Sequence, residues 1–268
     1  MHALSLHHLS VMDLSPDELV DVAVELGCAH VCLFSFQPRG AFAMPVVQDG
    51  DVAALRRRLD DAGMSVLGTT YFALQADTDI ADYQPGLDRS ARLGARHANC
   101  RVIDRDEARV IDRFGRFAEL CVARGLVPLI EPSGYGLRDA QPQALRIIEA
   151  VGHGALTLDP LHIARTGTRW EDVEALDPAM IGYVQICDGA AEAGPDDYAR
   201  EGSQDRLPPG EGDFPLGRLV RATPPDMPIS VEIPCRFLRE QGYAGRALAA
   251  ELIRRTRAWL ELQGSASA

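Results

Sequence analysis

An α/β protein built as a single (β/α)8 barrel is the architecture this sequence predicts, on three observations. Strand-like and helix-like segments alternate almost from end to end, eight of each, which implies a parallel sheet closed on itself. The 268 residues are typical of one such barrel, and no linker or low-complexity stretch divides them, so residues 1–268 read as one domain. The first turn, in SLHHLSVMDLS, lacks the G-x-G-x-x-G expected of an open doubly wound sheet.

Each element has its own signal. ALSLHHLSV is the first strand. Ser15-Pro16-Asp17-Glu18 then starts a helix with an N-cap serine, a proline at the first helical position and acids in the first turn. Leu19, Val22, Ala23 and Leu26 form its apolar face, and Gly27 stops it before the strand AHVCLFSF. A helix over 51–62 ends at Gly63 before MSVLGTTYF, and one over 82–93 ends at Gly94 before ARHANCRV. A helix over 107–124 ends at Gly125 before LVPLIE. Helices over 141–151, 170–176 and 216–222 precede ALTLD, IGYVQI and PISVEI, and the last runs from about 244 to 262, leaving 263–268 as a frayed polar tail.

Four polar residues close successive strands: Glu131 in LVPLIE, Asp159 in ALTLD, Gln185 in GYVQI and Glu232 in PISVE. Barrel active sites gather at the carboxyl ends of strands. An acid at the end of an apolar strand is costly unless something offsets its burial. Two glutamates, one aspartate and one amide form an oxygen-only set suited to one hard divalent cation, Mg²⁺ or Mn²⁺ ahead of Zn²⁺ or Co²⁺. Such an ion can polarise a hydroxy-ketone and stabilise the enediolate, while Glu131 and Glu232, across the barrel mouth from one another, move the proton. His162, three residues after Asp159, points to the same mouth and can bind substrate or metal, or transfer a proton. Arg206 in DRLPPGEG is a candidate clamp for a substrate carboxylate or phosphate, with Glu211 capping the next helix or orienting it. His7, near the end of the first strand, faces substrate or is a satisfied core histidine.

Composition removes other chemistries. Every basic residue is arginine, so Schiff-base, pyridoxal phosphate and P-loop lysine chemistry are excluded. A net charge of -12 speaks against nucleic-acid or anionic-membrane surfaces, and Arg56, Arg57 and Arg58 read as a solvated helix face. The six cysteines lack CxxC spacing and read as core thiols of a cytoplasmic protein. The N-terminal stretch, broken by His7, His8 and Asp13, does not read as a signal peptide, and no apolar run reaches membrane length. Two long loops, 37–49 and 187–214, fall on the catalytic side as candidate lids. Closed symmetric dimers or tetramers are compatible with this chain.

The segments LIEPSGY, LDPLHIARTG, VQICDG, RLPPGEGDFPL and SVEIP resemble the xylose isomerase-like TIM-barrel superfamily of sugar phosphate isomerases and epimerases, over nearly the whole chain. The resemblance implies that Glu131, Asp159, Gln185 and Glu232 bind one divalent metal, that Asp159 and His162 form the family's D-x-x-H motif, and that Glu131 and Glu232 are the acid/base pair. Many sugar epimerases of the family carry histidine in place of Gln185. Glutamine there resembles hydroxypyruvate isomerases and 3-dehydroshikimate dehydratases, and the second strand, HVCLFSF, lacks the terminal acid of many relatives. The function expected is a metal-dependent isomerase or epimerase of a small carbohydrate-like or hydroxy-acid substrate. A dehydrating lyase is the alternative, then a non-catalytic metabolite-binding barrel. The DNA-repair endonucleases that share the barrel use histidine-rich sites and basic grooves, which this chain lacks.

Overall fold

Strand β1 (Leu4–His7) pairs with β2 (His30–Phe34) on one side and β8 (Ile229–Val231) on the other, and that second pairing closes the sheet. The computed structural model describes residues 2–38, 41–194 and 197–266. Between β2 and β8 lie β3 (Ser65–Leu74), β4 (His97–Val102), β5 (Val127–Glu131), β6 (Ala155–Leu158) and β7 (Ile181–Ile186). The order is sequential, the barrel is closed and all eight pairings are parallel, as the alternation implies.

The helices are α1 (Pro16–Glu25), α2 (Val52–Asp61), α3 (Gln84–Arg92), α4 (Glu107–Val122), α5 (Ala140–Val151) and α6 (Pro160–Thr166). They continue with α7 (Trp170–Glu174), α8 (Tyr198–Ser203), α9 (Leu216–Ala222), α10 (Arg236–Glu240) and α11 (Gly245–Ala266). The start of α1 is the one its sequence signals: Ser15 Oγ accepts from the Glu18 N–H and Glu18 returns a carboxylate to the Ser15 N–H. Gly27 and Gly125 end α1 and α4 at φ 63° and 72°, a region that favours glycine.

Several expectations are corrected. The first strand stops at His7, and His8–Val11 form a 3-10 turn. The helix expected over 82–93 begins as a 3-10 turn, Ile80–Tyr83, before α3. The segments holding α6, α8 and α10 read as loops because each is too short to show helical periodicity. The last helix passes residue 262 and reaches Ala266, while residues 267–268 of the expected tail lie outside the described residues, as do residues 39–40 and 195–196 of the two long loops.

Apolar burial divides into two bodies. The larger lies between the barrel and its helices. The smaller fills the barrel itself with Cys32, Leu67, Leu129, Ala155 and Tyr183. Because side chains alternate along a strand, this inner layer sets the next one up. Two residues beyond Leu129 is Glu131, two beyond Tyr183 is Gln185, and two beyond Cys32 is Phe34. The plug therefore aims the strand-end residues into the barrel mouth. The six cysteines are all free and buried.

His8 makes acid stability testable. Its Nε2 donates to the Leu14 carbonyl at 2.8 Å, its ring stacks on Phe34, and Nδ1 is buried without a partner. Burial lowers its pKa from 6.5 to about 4. Above pH 6.5 both folded and unfolded forms are neutral. As pH falls from 6.5 to about 4 only the unfolded chain takes up the proton, so this one group should remove about 3 kcal/mol of stability. Denaturant titrations across this window should show a shallower pH slope for His8→Gln than for the natural chain; equal slopes would contradict it.

Candidate active site at the carboxyl ends of the strands

Glu131 is the last residue of β5, Asp159 directly follows β6, Gln185 is one from the end of β7 and Glu232 directly follows β8. All four are buried, between 1% and 4% exposed. A cavity of about 260 Å³ opens above them. Glu131 and Glu232 line it with His7 and Arg101, and Phe34, Tyr71 and Tyr135 form apolar walls. Both long loops contribute: Phe42 and Met44 from the first, Ala199, Gly202 and Ser203 from the second.

Arg206 is placed differently from the expected clamp. It is 1% exposed, and its Nη1 donates to Asp159 Oδ2 at 2.6 Å and to Glu232 Oε2 at 2.8 Å. Nη1 also reaches the Glu232 carbonyl, and Nη2 donates to the Gly202 carbonyl. The loop folds it inward because it is stapled on either side. Asp188 pairs with Leu207, and Asp205 pairs with Cys235. The Asp188 carboxylate accepts from the N–H groups of Gly189, Gly210 and Phe214, pulling the PPGEG turn onto the end of β7. Glu211 neither caps α9 nor touches Arg206; it pairs with Arg255 on α11.

The electrostatics follow from these contacts. Burial works against the Arg206 charge, but Asp159 and Glu232 outweigh it. Burial pushes the Asp159 carboxyl up, yet Arg206 and His162 hold it down at about 2. Glu232 rises to about 7, from burial first, with Asp159 adding and Arg206 opposing. His7 is lowered to about 3 by burial and then by Arg206. Its Nδ1 accepts from the Leu9 N–H at 3.1 Å, so the proton sits on Nε2, 3.3 Å from Glu232 Oε1.

His162 lies in α6, not in a loop, one turn after Asp159 caps that helix by accepting from the Leu161 N–H. Burial lowers its pKa to about 4 against the pull of Asp159 and Glu131. Its Nε2 is 3.7 Å from Glu131 Oε1 and 3.9 Å from Asp159 Oδ2, and makes no hydrogen bond.

Arg101 at the end of β4 was not singled out by its sequence. Its Nε and Nη2 donate to Glu131 Oε2 at 3.2 and 3.1 Å and Nη1 donates to the Tyr71 hydroxyl at 2.7 Å. The guanidinium lies between the Tyr71 and Tyr135 rings, 4.7 and 4.8 Å from their centroids. Its signal was available: Asn99 and Arg101 alternate with Ala98, Cys100 and Val102 in HANCRV, so both polar residues face into the barrel.

The donor chemistry fits a divalent cation. Gln185 Oε1 is a buried acceptor with no hydrogen bond, on the strand between the two that carry Asp159 and Glu232. A carboxylate oxygen that accepts one hydrogen bond keeps a further lone pair, so Arg206 does not exhaust Asp159 or Glu232. One atom each of Glu131, Asp159 and His162 also lies within 4.8 Å of the others.

A family model described as a xylose isomerase-like TIM barrel matches residues 20–261. The chain belongs to this family. Solved structures similar to it include the IolI protein with a bound zinc atom, at TM-score 0.78 and 15% identity, covering 98% of each chain. D-allulose 3-epimerase from Methylomonas sp. matches at TM-score 0.68 and 13% identity, covering 98% of each chain. The probable 3-DHS dehydratase AsbF from Bacillus anthracis matches at TM-score 0.69 and 16% identity, covering 93% of this chain and 97% of that one. No curated protein is significantly similar in sequence. Among the described residues, no helix is long and apolar enough to cross a membrane.

Proposed function

We propose that the protein is a divalent-metal-dependent isomerase or epimerase of a small hydroxy-ketone or hydroxy-aldehyde. The observation that carries this reading is the pair Glu131 and Glu232, buried on strands with β6 and β7 between them and lining one cavity. At about 260 Å³ that cavity lies just below the usual range for ligand pockets, which favours a small substrate. Glu131, Asp159, Gln185 and Glu232 would hold the cation. When bound, it would supply Lewis acidity toward a substrate carbonyl.

The chain's own residues supply the rest. One glutamate removes the proton from the carbon beside the carbonyl, and the other returns a proton to the opposite face or the neighbouring carbon. Arg101 orients Glu131 through two donors and Tyr71 and Tyr135 hold Arg101 in turn. The His7 Nε2–H faces Glu232 Oε1 and orients that carboxylate. The apolar walls limit water around the transferred proton.

One observation favours a lyase as the second reading. Arg101 places a cation in the cavity, which suits a substrate carboxylate. On a β-hydroxy keto acid, the electron pair left by proton removal expels the β-hydroxyl, which leaves as water after taking a proton from the second glutamate. Incubating small hydroxy-ketones and hydroxy-keto acids in D₂O separates the readings by NMR: deuterium in an isomer for the first, an alkene signal for the second. Chelation should abolish turnover, and added Mg²⁺ or Mn²⁺ should restore it. Full activity in the chelated protein would remove the proposal of metal dependence.

A further inference from the structure

We infer that Tyr198 fixes the proton of His162 on Nε2, making that buried nitrogen a hydrogen-bond donor beside Glu131 and Asp159 and keeping it out of the cation's ligand set. The inference deepens the proposed function by separating the metal-holding residues from the one that meets a substrate oxygen. It begins with a count of protons. The Tyr198 hydroxyl oxygen accepts the Gly134 N–H at 2.9 Å and lies 2.8 Å from His162 Nδ1. A phenol has one proton to donate. With Gly134 already donating to the oxygen, the tyrosine proton is directed to the Nδ1 lone pair. A neutral imidazole that accepts at Nδ1 carries its proton on Nε2.

The rings hold this arrangement in place. Tyr198 stacks on Tyr135 at 4.7 Å and 6°, and both rings present to the His162 ring at angles of 87° and 80°. Tyr198 opens α8, within the long segment between β7 and β8. The tautomer of a residue next to β6 is therefore set by the loop after β7, which also supplies Ala199, Gly202 and Ser203 to the cavity. Tyr198 is a positioning residue: it acts through His162.

The other tautomer fits less well. To ligate a cation through Nε2, the ring would carry its proton on Nδ1. The tyrosine oxygen would then face N–H groups from both Gly134 and His162, and its own proton would have no partner. The observed Nε2 is 1% exposed on a residue basis, without a hydrogen bond, and beyond bonding distance of Glu131 and Asp159. A buried donor left unmatched is costly, and a substrate hydroxyl or carbonyl oxygen brought up to it would offset that cost. The proximity of His162 to Glu131 and Asp159 reflects its place in this donor arrangement, and the cation keeps oxygen ligands only.

The test is ¹⁵N–¹H correlation spectroscopy of the imidazole nitrogens in the metal-free protein, with His162 assigned by loss of its signals in His162→Gln. The expected spectrum shows Nε2 protonated and Nδ1 bare, and it keeps that pattern when saturating Zn²⁺ is added. Tyr198→Phe, which retains the ring and loses the hydroxyl, should raise the Nδ1–H population. A natural chain with the proton on Nδ1, loss of the Nε2 proton on adding Zn²⁺, or an unchanged tautomer ratio in Tyr198→Phe would overturn the inference. These spectra need no turnover, so failure of the proposed reaction would leave their outcome intact.

Discussion

Replacing Glu232 by glutamine is expected to lower kcat by about 10²–10⁴-fold while the barrel remains folded. The amide keeps the volume of the carboxylate and can still accept from Arg206 through its one oxygen, but its NH2 then faces the His7 Nε2–H, and it cannot carry a proton between two faces of a substrate. Glu131→Gln should lose activity to a similar extent, with weaker substrate binding besides, because Arg101 loses its charged partner. Steady-state kinetics on a substrate identified by the D₂O screen, with circular dichroism to monitor folding, measures both. An unchanged kcat in either variant would remove that glutamate from proton transfer.

The second large effect concerns Arg206. Replacing it with methionine leaves Asp159 and Glu232 buried with no guanidinium between them. Removing one partner of a buried ion pair typically costs about 3–5 kcal/mol, because the remaining charge stays desolvated. Arg206→Met should therefore be destabilised by about that amount in chelator, as measured by denaturant unfolding. Mg²⁺ should recover part of the loss, since a cation held by the same carboxylates would neutralise them. Equal stability of the variant and the natural chain in chelator would mean that this triad contributes little to holding the β8 end and its loop together.

The parts of this site that were legible in the sequence are those set by short-range pattern. The apolar runs that end in Glu131, Asp159, Gln185 and Glu232 mark strands, and alternation from the inner layer turns those ends toward the mouth. Asn99 and Arg101 carried the same alternation signal in HANCRV. What was not legible depends on contacts between distant segments. Arg206 is buried because two bridges, at Asp188 and Asp205, fold its loop over β7 and β8, and nothing local in DRLPPGEG specifies that. Tyr198 sits in a six-residue helix, too short to show a period, and reaches His162 from 36 positions away. The place of His162 at the carboxyl ends of the strands is legible three residues after Asp159, but its helix, only seven residues long, reads as a loop.

The most direct measurement of the central claim is anomalous diffraction from crystals soaked in Mn²⁺. The account predicts one anomalous peak in the barrel mouth, bounded by oxygens of Glu131, Asp159, Gln185 and Glu232, with His162 Nε2 outside the coordination sphere. A mouth without a peak, or a peak ligated by His162 in place of Gln185, would contradict it.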